Sequence, residues 1–154
     1  MNSGDDAAYR FDLAKGYLVR AEKEANEAEW DGCLANAQEA VENAGKSVLS
    51  FFRPVPRTHD VIEPLEQLLE LDAVPESVKQ KILPTLNAFQ NMGIETHVRA
   101  TYGSELTRTP PWELIKEPEA TAGLDKARRA VKLAEDIFAE MMKPPDEKEV
   151  GSSE

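Results

Sequence analysis

Apolar residues recur at three- and four-residue spacing through the first quarter of the chain, at Phe11, Ala14, Leu18, Ala21 and Ala25, with Lys15, Glu22, Lys23 and Glu27 filling the other face. That period is the mark of an amphipathic helix. It predicts a helix from about Ala7 to Ala28, started by Asp5 or Asp6 as a cap. A second stripe, Trp30, Leu34, Ala37, Val41, Ala44, Val48 and Phe51 or Phe52, predicts a helix from about Trp30 to Phe52. It must stop at Arg53-Pro54, because the residue before a proline is pushed out of the helical region.

The corner RPVPRTH is therefore expected to be extended and stiff, and Asp60 with Glu63 has the spacing of a capping box for a short helix from Val61 to about Leu71. Pro64 fits there because a first-turn amide has no intrahelical partner to lose. A further helix is predicted to begin near Pro75, with Val78, Ile82, Leu86 and Phe89 on one face and a kink at Pro84. Its end lies open between Gly93 and the segment Thr96 to Tyr102. An irregular stretch from about Thr101 to Pro118 follows, in which Trp112, Leu114 and Ile115 are expected to pack as a small cluster. The last helix, about Ala120 to Met142, carries Leu124, Ala127, Val131, Ala134, Phe138 and Met141 inward. The predicted fold is all-α: an antiparallel up-and-down bundle of four long helices plus one short helix. It forms one domain over residues 6–143, with an acidic, disordered tail over 144–154.

A chain of 154 residues is long enough for a core without metals or disulfides, since a domain of this size buries roughly 70% of its unfolded surface. Its single cysteine, Cys33, stands beside Leu34 on an apolar face and reads as a small buried hydrophobe. No apolar run approaches the ~20 residues of a membrane span, and the N-terminus lacks the basic-then-apolar order of a signal peptide. A cytoplasmic location is the expectation. Asp and Glu number 29 against 18 Lys and Arg, a formal net charge of -11. Such a field repels phosphate backbones, so duplex DNA is disfavoured and any nucleic-acid contact needs a local basic patch. Arg53, Arg57, Arg99 and Arg108 are candidates for one. Arg128 and Arg129, with Lys126 and Lys132, read equally well as a solvated helical face.

Few residues carry candidate chemistry. His59, after Arg53, Arg57 and Thr58, could serve as a general acid or base near an anion, or could fix the corner by bonding its backbone. Arg99 and Tyr102, three apart, share a helical face if the helix reaches them, and could hold a phosphate and orient a backbone. Alternatively, Arg99 pairs with a carboxylate and Tyr102 packs under the loop. His97 reads as a satisfied histidine at the core edge. Gln38, Glu42 and Lys46 form a four-spaced polar row, suited to a dimer interface or to solvent. The two histidines stand in no metal-binding spacing, so no metal and no cofactor are expected.

The order of these segments resembles the HEPN family of small helical domains. AQEAVENAGKSVL resembles its second helix, PRTHDVIEPLEQLL its proline corner and His-Asp helix start, VRATYG its Tyr-centred loop, and EATAGLDKARRAVKLAEDIFAEM its Ala-rich final helix. The match runs from about Tyr9 to Met142. The resemblance implies a helical domain that commonly dimerises, in a family of toxin ribonucleases, partners of minimal nucleotidyltransferases and nucleotide binders. Ribonuclease members carry an arginine and, a handful of residues on, a histidine on a helix. Arg53 to His59 has that spacing, but two prolines interrupt it. Where many relatives have an arginine before the loop tyrosine, this chain has Thr101, and the nearest arginine is Arg99. The resemblance implies a nucleotide-binding or regulatory homodimer, with a nucleotidyltransferase as partner; Arg53, Arg57 and Arg99 are its candidate phosphate ligands by their charge, not by a matched family motif. The alternative it implies is a metal-independent endoribonuclease on single-stranded RNA, for which His59, Arg99 and Tyr102, singled out above by their chemistry, are the candidate catalytic residues.

Overall fold

A computed structural model describes residues 3–144. Within them the chain forms α1 (Ser3–Asn26), α2 (Trp30–Ser50), α3 (Ile62–Leu68), α4 (Glu76–Ile82), a 3-10 segment (Leu83–Phe89), α5 (Ile94–Tyr102), α6 (Pro111–Leu114) and α7 (Glu117–Met141). The only β feature among the described residues is an isolated bridge between Ser104 and Thr109. Apart from Pro144, the expected acidic tail lies outside the described residues. No described helix is long and apolar enough to cross a membrane.

The predicted helical bundle is present, with α2 at its centre, packed against α1 and α7. Small residues set the closeness of these contacts: Ala7, Ala14 and Ala21 on α1, Ala37, Ala40 and Ala44 on α2, and Ala127, Ala130 and Ala134 on α7 are all buried. Every residue of α2 from Ala40 to Ser50 is buried, so its polar side chains must find partners inside the protein. Ser47 donates to the Ala7 carbonyl at 2.8 Å, Ser50 to the Lys46 carbonyl at 2.7 Å, and Asn43 accepts from Arg10 at 3.2 Å. Among the described residues no buried side-chain nitrogen or oxygen lacks a partner. Cys33 is buried as expected, and burial pushes its thiol up to about 11.

Several local expectations are corrected. Helix α1 begins at Ser3, so Asp5 and Asp6 lie in its first turn, where they suit the helix dipole without capping it. The capping box does not form. Val61 is the N-cap of α3 and makes no side-chain cap bond, while the Asp60 carboxylate accepts instead from the Ile94 amide at 3.4 Å. The helix starting near Pro75 is not one rod: after Ile82 it tightens into the 3-10 segment holding Pro84, breaks at Gln90 to Gly93 with Asn91 at φ 58°, and resumes as α5. His97 thus belongs to a separate helix from Phe89. Trp112 does not pack. It is 69% exposed, while Ile115 alone of the expected cluster is fully buried.

Candidate functional site: a buried polar row under a histidine pair

The polar row on α2 is turned into the protein and away from solvent: Gln38, Glu42 and Lys46 are 0%, 5% and 7% exposed. Four-residue spacing stacks them along the helix, and each bonds the next. Gln38 Nε2 donates to Glu42 Oε1 at 3.1 Å and to the Met92 carbonyl at 3.3 Å, and Lys46 Nζ donates to Glu42 Oε2 at 2.8 Å. Burial by itself raises the Glu42 carboxyl. The hydrogen bonds from Lys46, His59 and Gln38 more than reverse that, and its net pKa lies below the usual value.

The corner after α2 brings His59 onto this row. His59 Nδ1 donates to Glu42 Oε1 at 2.7 Å, and His97 Nδ1 donates to Gln38 Oε1 at 3.2 Å with Glu39 Oε1 at 3.5 Å. The Gln38 amide, whose nitrogen donates to Glu42, can offer His97 only its oxygen, and the Glu42 carboxylate can only accept. Both imidazoles therefore carry hydrogen on Nδ1 and present Nε2 as the free position. The rings stack with centroids 4.4 Å apart and planes 13° apart, and Tyr102 meets His97 edge-on at 6.5 Å. Glu39, half-buried between these groups, has its pKa raised by burial first and by the neighbouring Glu42 charge second.

Two glycines make this juncture possible. A Cβ on Gly45 would lie 2.5 Å from Val61 Cγ2, and one on Gly93 would lie 1.4 Å from Asp60 Oδ1. Glycine in a helix interior costs about 1 kcal/mol, and at position 45 it admits Val61 against α2. The His59-Asp60-Val61 corner is thus bracketed by Gly45 beneath Val61 and by Gly93 against Asp60. A glycine at position 45, inside a strong helical pattern, is the sequence signal that marks this close approach.

Of the residues singled out from the sequence, the structure gathers His59 and Tyr102 through His97, whose place in the sequence pattern suggests only a structural histidine. Arg99 lies elsewhere. It reaches Glu119 on α7 at 2.8 Å and lines a cavity of about 720 Å3. Arg53 is used by the corner itself, donating to Gln67 Oε1 at 2.7 Å and to the Pro54 carbonyl at 3.4 Å. Arg57 is exposed. The apolar lining of the cavity includes the buried Leu34 and Met92, and Asp60, Thr96, Arg99, Glu119 and Lys126 also line it. Lys126 donates to the Gln90 carbonyl at 2.8 Å. His59 and Asp60, adjacent in sequence, thus contribute to the polar row and to the cavity respectively. Among the described residues no group of three or more His, Cys, Asp and Glu is placed to hold a metal ion.

The family profile described as HEPN domain matches residues 7–143, nearly the whole chain. No curated protein matches. Among solved structures, the chain is similar to the crystal structure of TT1696 from Thermus thermophilus, at 22% identity and a TM-score of 0.60, covering 89% of this chain and 99% of that one. At that identity the likeness concerns the fold.

Proposed function

Since this chain belongs to the HEPN family, we propose that it is a nucleotide-binding regulatory module, acting as a homodimer with a minimal nucleotidyltransferase as its partner. The observation that carries this reading is the cavity beside the His59-Asp60 corner. Its volume of about 720 Å3 lies within the range of small-molecule sites, roughly 300–1,000 Å3. The apolar lining of Leu34 and Met92 suits the face of a base, Asp60 can accept from an exocyclic amine, and Arg99 and Lys126 supply charge for phosphate. Arg99 would exchange Glu119 for the ligand, a small sacrifice, since an ion pair this exposed is worth about 0–1 kcal/mol. For dimerisation, α5 leaves Ile94, Val98 and Tyr102 exposed at four-residue spacing. A solution species of only 17.1 kDa by light scattering at micromolar concentration would remove the dimer.

The test is a thermal-shift panel of nucleotides on the pure protein. A ligand present at about a hundred times its Kd adds about 2.7 kcal/mol of stability, a rise of several degrees in Tm. The Arg99→Ala protein is expected to lose the shift given by a nucleoside monophosphate. If no nucleotide moves the melting temperature at millimolar concentration, or if Arg99→Ala responds to the monophosphate as the parent does, the reading is wrong.

One observation favours the ribonuclease reading: the carboxylate-bound His59, stacked on His97, which in turn meets Tyr102 edge-on, is an arrangement that could move a proton. That reading requires metal-independent cleavage of single-stranded RNA, lost in His59→Ala while the helical circular dichroism persists. Cleavage of that kind would replace the regulatory reading.

A further inference from the structure

A second depression, about 360 Å3, lies along the C-terminal half of α7 against α4 and the 3-10 segment. In a chain of formal charge -11, it gathers Lys81, Arg128, Arg129 and Lys132 over Leu133, and Asp136 is the single carboxylate in its lining. Arg128 and Arg129 are consecutive on α7 and Lys132 lies one turn on from both, where like charges oppose each other, and Lys81 comes from α4.

The held but uncompensated cation is Arg129. Its Nη2 donates to Asn87 Oδ1 at 2.7 Å and to the Pro84 carbonyl at 3.4 Å. Both acceptors are neutral, so they fix the guanidinium without cancelling its charge. The other three have carboxylate partners: Glu140 on Lys81 at 2.9 Å, Glu22 on Arg128 at 3.8 Å and Asp136 on Lys132 at 3.0 Å. The Arg128 and Lys132 pairs are exposed, and such pairs are weak and yield to an anion carrying several charges, while the Lys81 pair is half-buried. No aromatic ring lines the groove, so it offers a base nothing to stack on. Its size is near the lower end for ligand sites.

We propose that this groove binds a compact phosphate chain, a di- or triphosphate that is free or esterified, with Arg129 as its fixed ligand and Arg128, Lys132 and Lys81 closing around it. The proposal is independent of the nucleotide reading of the larger cavity.

The experiment is isothermal titration of the full chain with pyrophosphate, inorganic triphosphate, ATP, adenosine and a short single-stranded RNA. Expected are binding of the inorganic triphosphate that weakens as salt rises, none of adenosine at this groove, and at least a tenfold loss of triphosphate affinity in Arg129→Gln. The Arg128→Gln/Lys132→Gln double variant alters only exposed side chains and is expected to show a similar loss, which guards against misfolding in Arg129→Gln. Arg99→Ala should still bind triphosphate. Absence of triphosphate binding at millimolar concentration, or affinity unchanged in both groove variants, overturns the proposal. RNA binding far tighter than triphosphate, and lost in the same variants, also overturns it, in favour of a polymer surface. Arg99→Ala should likewise still bind ATP through its triphosphate, and loss of both ATP and triphosphate binding in that variant overturns the proposal.

Discussion

Replacing Glu42 with alanine is expected to destabilise the fold by about 3–5 kcal/mol, the range seen when one partner of a buried ion pair is removed. Lys46 would keep its charge at 7% exposure with no carboxylate, and His59 would lose its acceptor. For a chain of this length 1 kcal/mol moves Tm by roughly 2–4 °C, so the melting temperature should fall by about 10 °C. Glu42→Gln keeps the shape and an acceptor oxygen and should cost less, about 1–3 kcal/mol. A Glu42→Leu/Lys46→Met double variant should recover most of the loss, because a buried pair replaced by apolar residues of similar volume is often neutral. A Glu42→Ala protein that melts within a degree or two of the parent would show that the row is not the core of this juncture.

The same group sets the acid limb of stability. Glu42 has a folded pKa below its ordinary 4.5, so the unfolded chain binds that proton more readily. Its contribution is complete above pH 4.5 and is lost as pH falls through the lowered folded value. Glu39 has the opposite sign. Its raised pKa means that its charged form opposes folding at neutral pH, and protonation relieves this before Glu42 titrates. In Glu42→Gln the steep loss of stability below the usual carboxylate range should flatten, which urea titrations at a series of acid pH values would measure. An acid limb as steep as the parent's would assign it to other carboxylates.

The bundle is legible in the sequence because the apolar stripes of α1, α2 and α7 are long and keep one period, and because Pro54 and the proline after Lys143 end helices by local sterics. The site is legible in part. His59, Arg99 and Tyr102 stand out by chemistry, yet the distances that group His59 with His97 and send Arg99 to Glu119 are long-range, joining residues of α2, the corner, α5 and α7. The row of Gln38, Glu42 and Lys46 is misleading because a helix periodicity cannot distinguish a solvated polar face from a buried one that other segments satisfy. Gln38 needs the Met92 carbonyl, 54 positions away, and Glu42 needs His59. Asp60 fails as a local cap for a related reason: Gly93 lets α5 come close enough to take its carboxylate. Trp112 misleads because a large aromatic in an irregular stretch usually marks packing, and here Pro110-Pro111 starts the short α6 with the ring outward.

Gly103→Ala is expected to disrupt the loop that follows Tyr102 and to lower Tm by several degrees. Gly103 terminates α5 at φ 78°, ψ -144°, a region that side chains rarely occupy and that costs about 1–3 kcal/mol for other residues. Space is lacking as well as conformational freedom. An added Cβ would stand 2.1 Å from the Thr109 carbonyl oxygen and 3.0 Å from backbone atoms of Pro110 and Pro111. None of these is the end of a flexible side chain. Thr109 is tied to Ser104 by two backbone hydrogen bonds of 2.9 Å, and the two prolines that follow cannot swing aside cheaply. Relief must come from opening the Ser104–Thr109 bridge, which frees the segment leading to buried Ile115 and shifts Tyr102 from the edge of His97. Hydrogen exchange should therefore show the Ser104 and Thr109 amides losing protection. Gly16→Ala in α1 is the matching control: its Cβ would meet only the Arg20 guanidinium, at 3.3 Å, and replacing a helix-interior glycine there should gain about 0.5–1 kcal/mol. Equal melting temperatures for the two variants would contradict the strain assigned to Gly103, and intact protection at Ser104 would show that the loop absorbs the methyl group without opening.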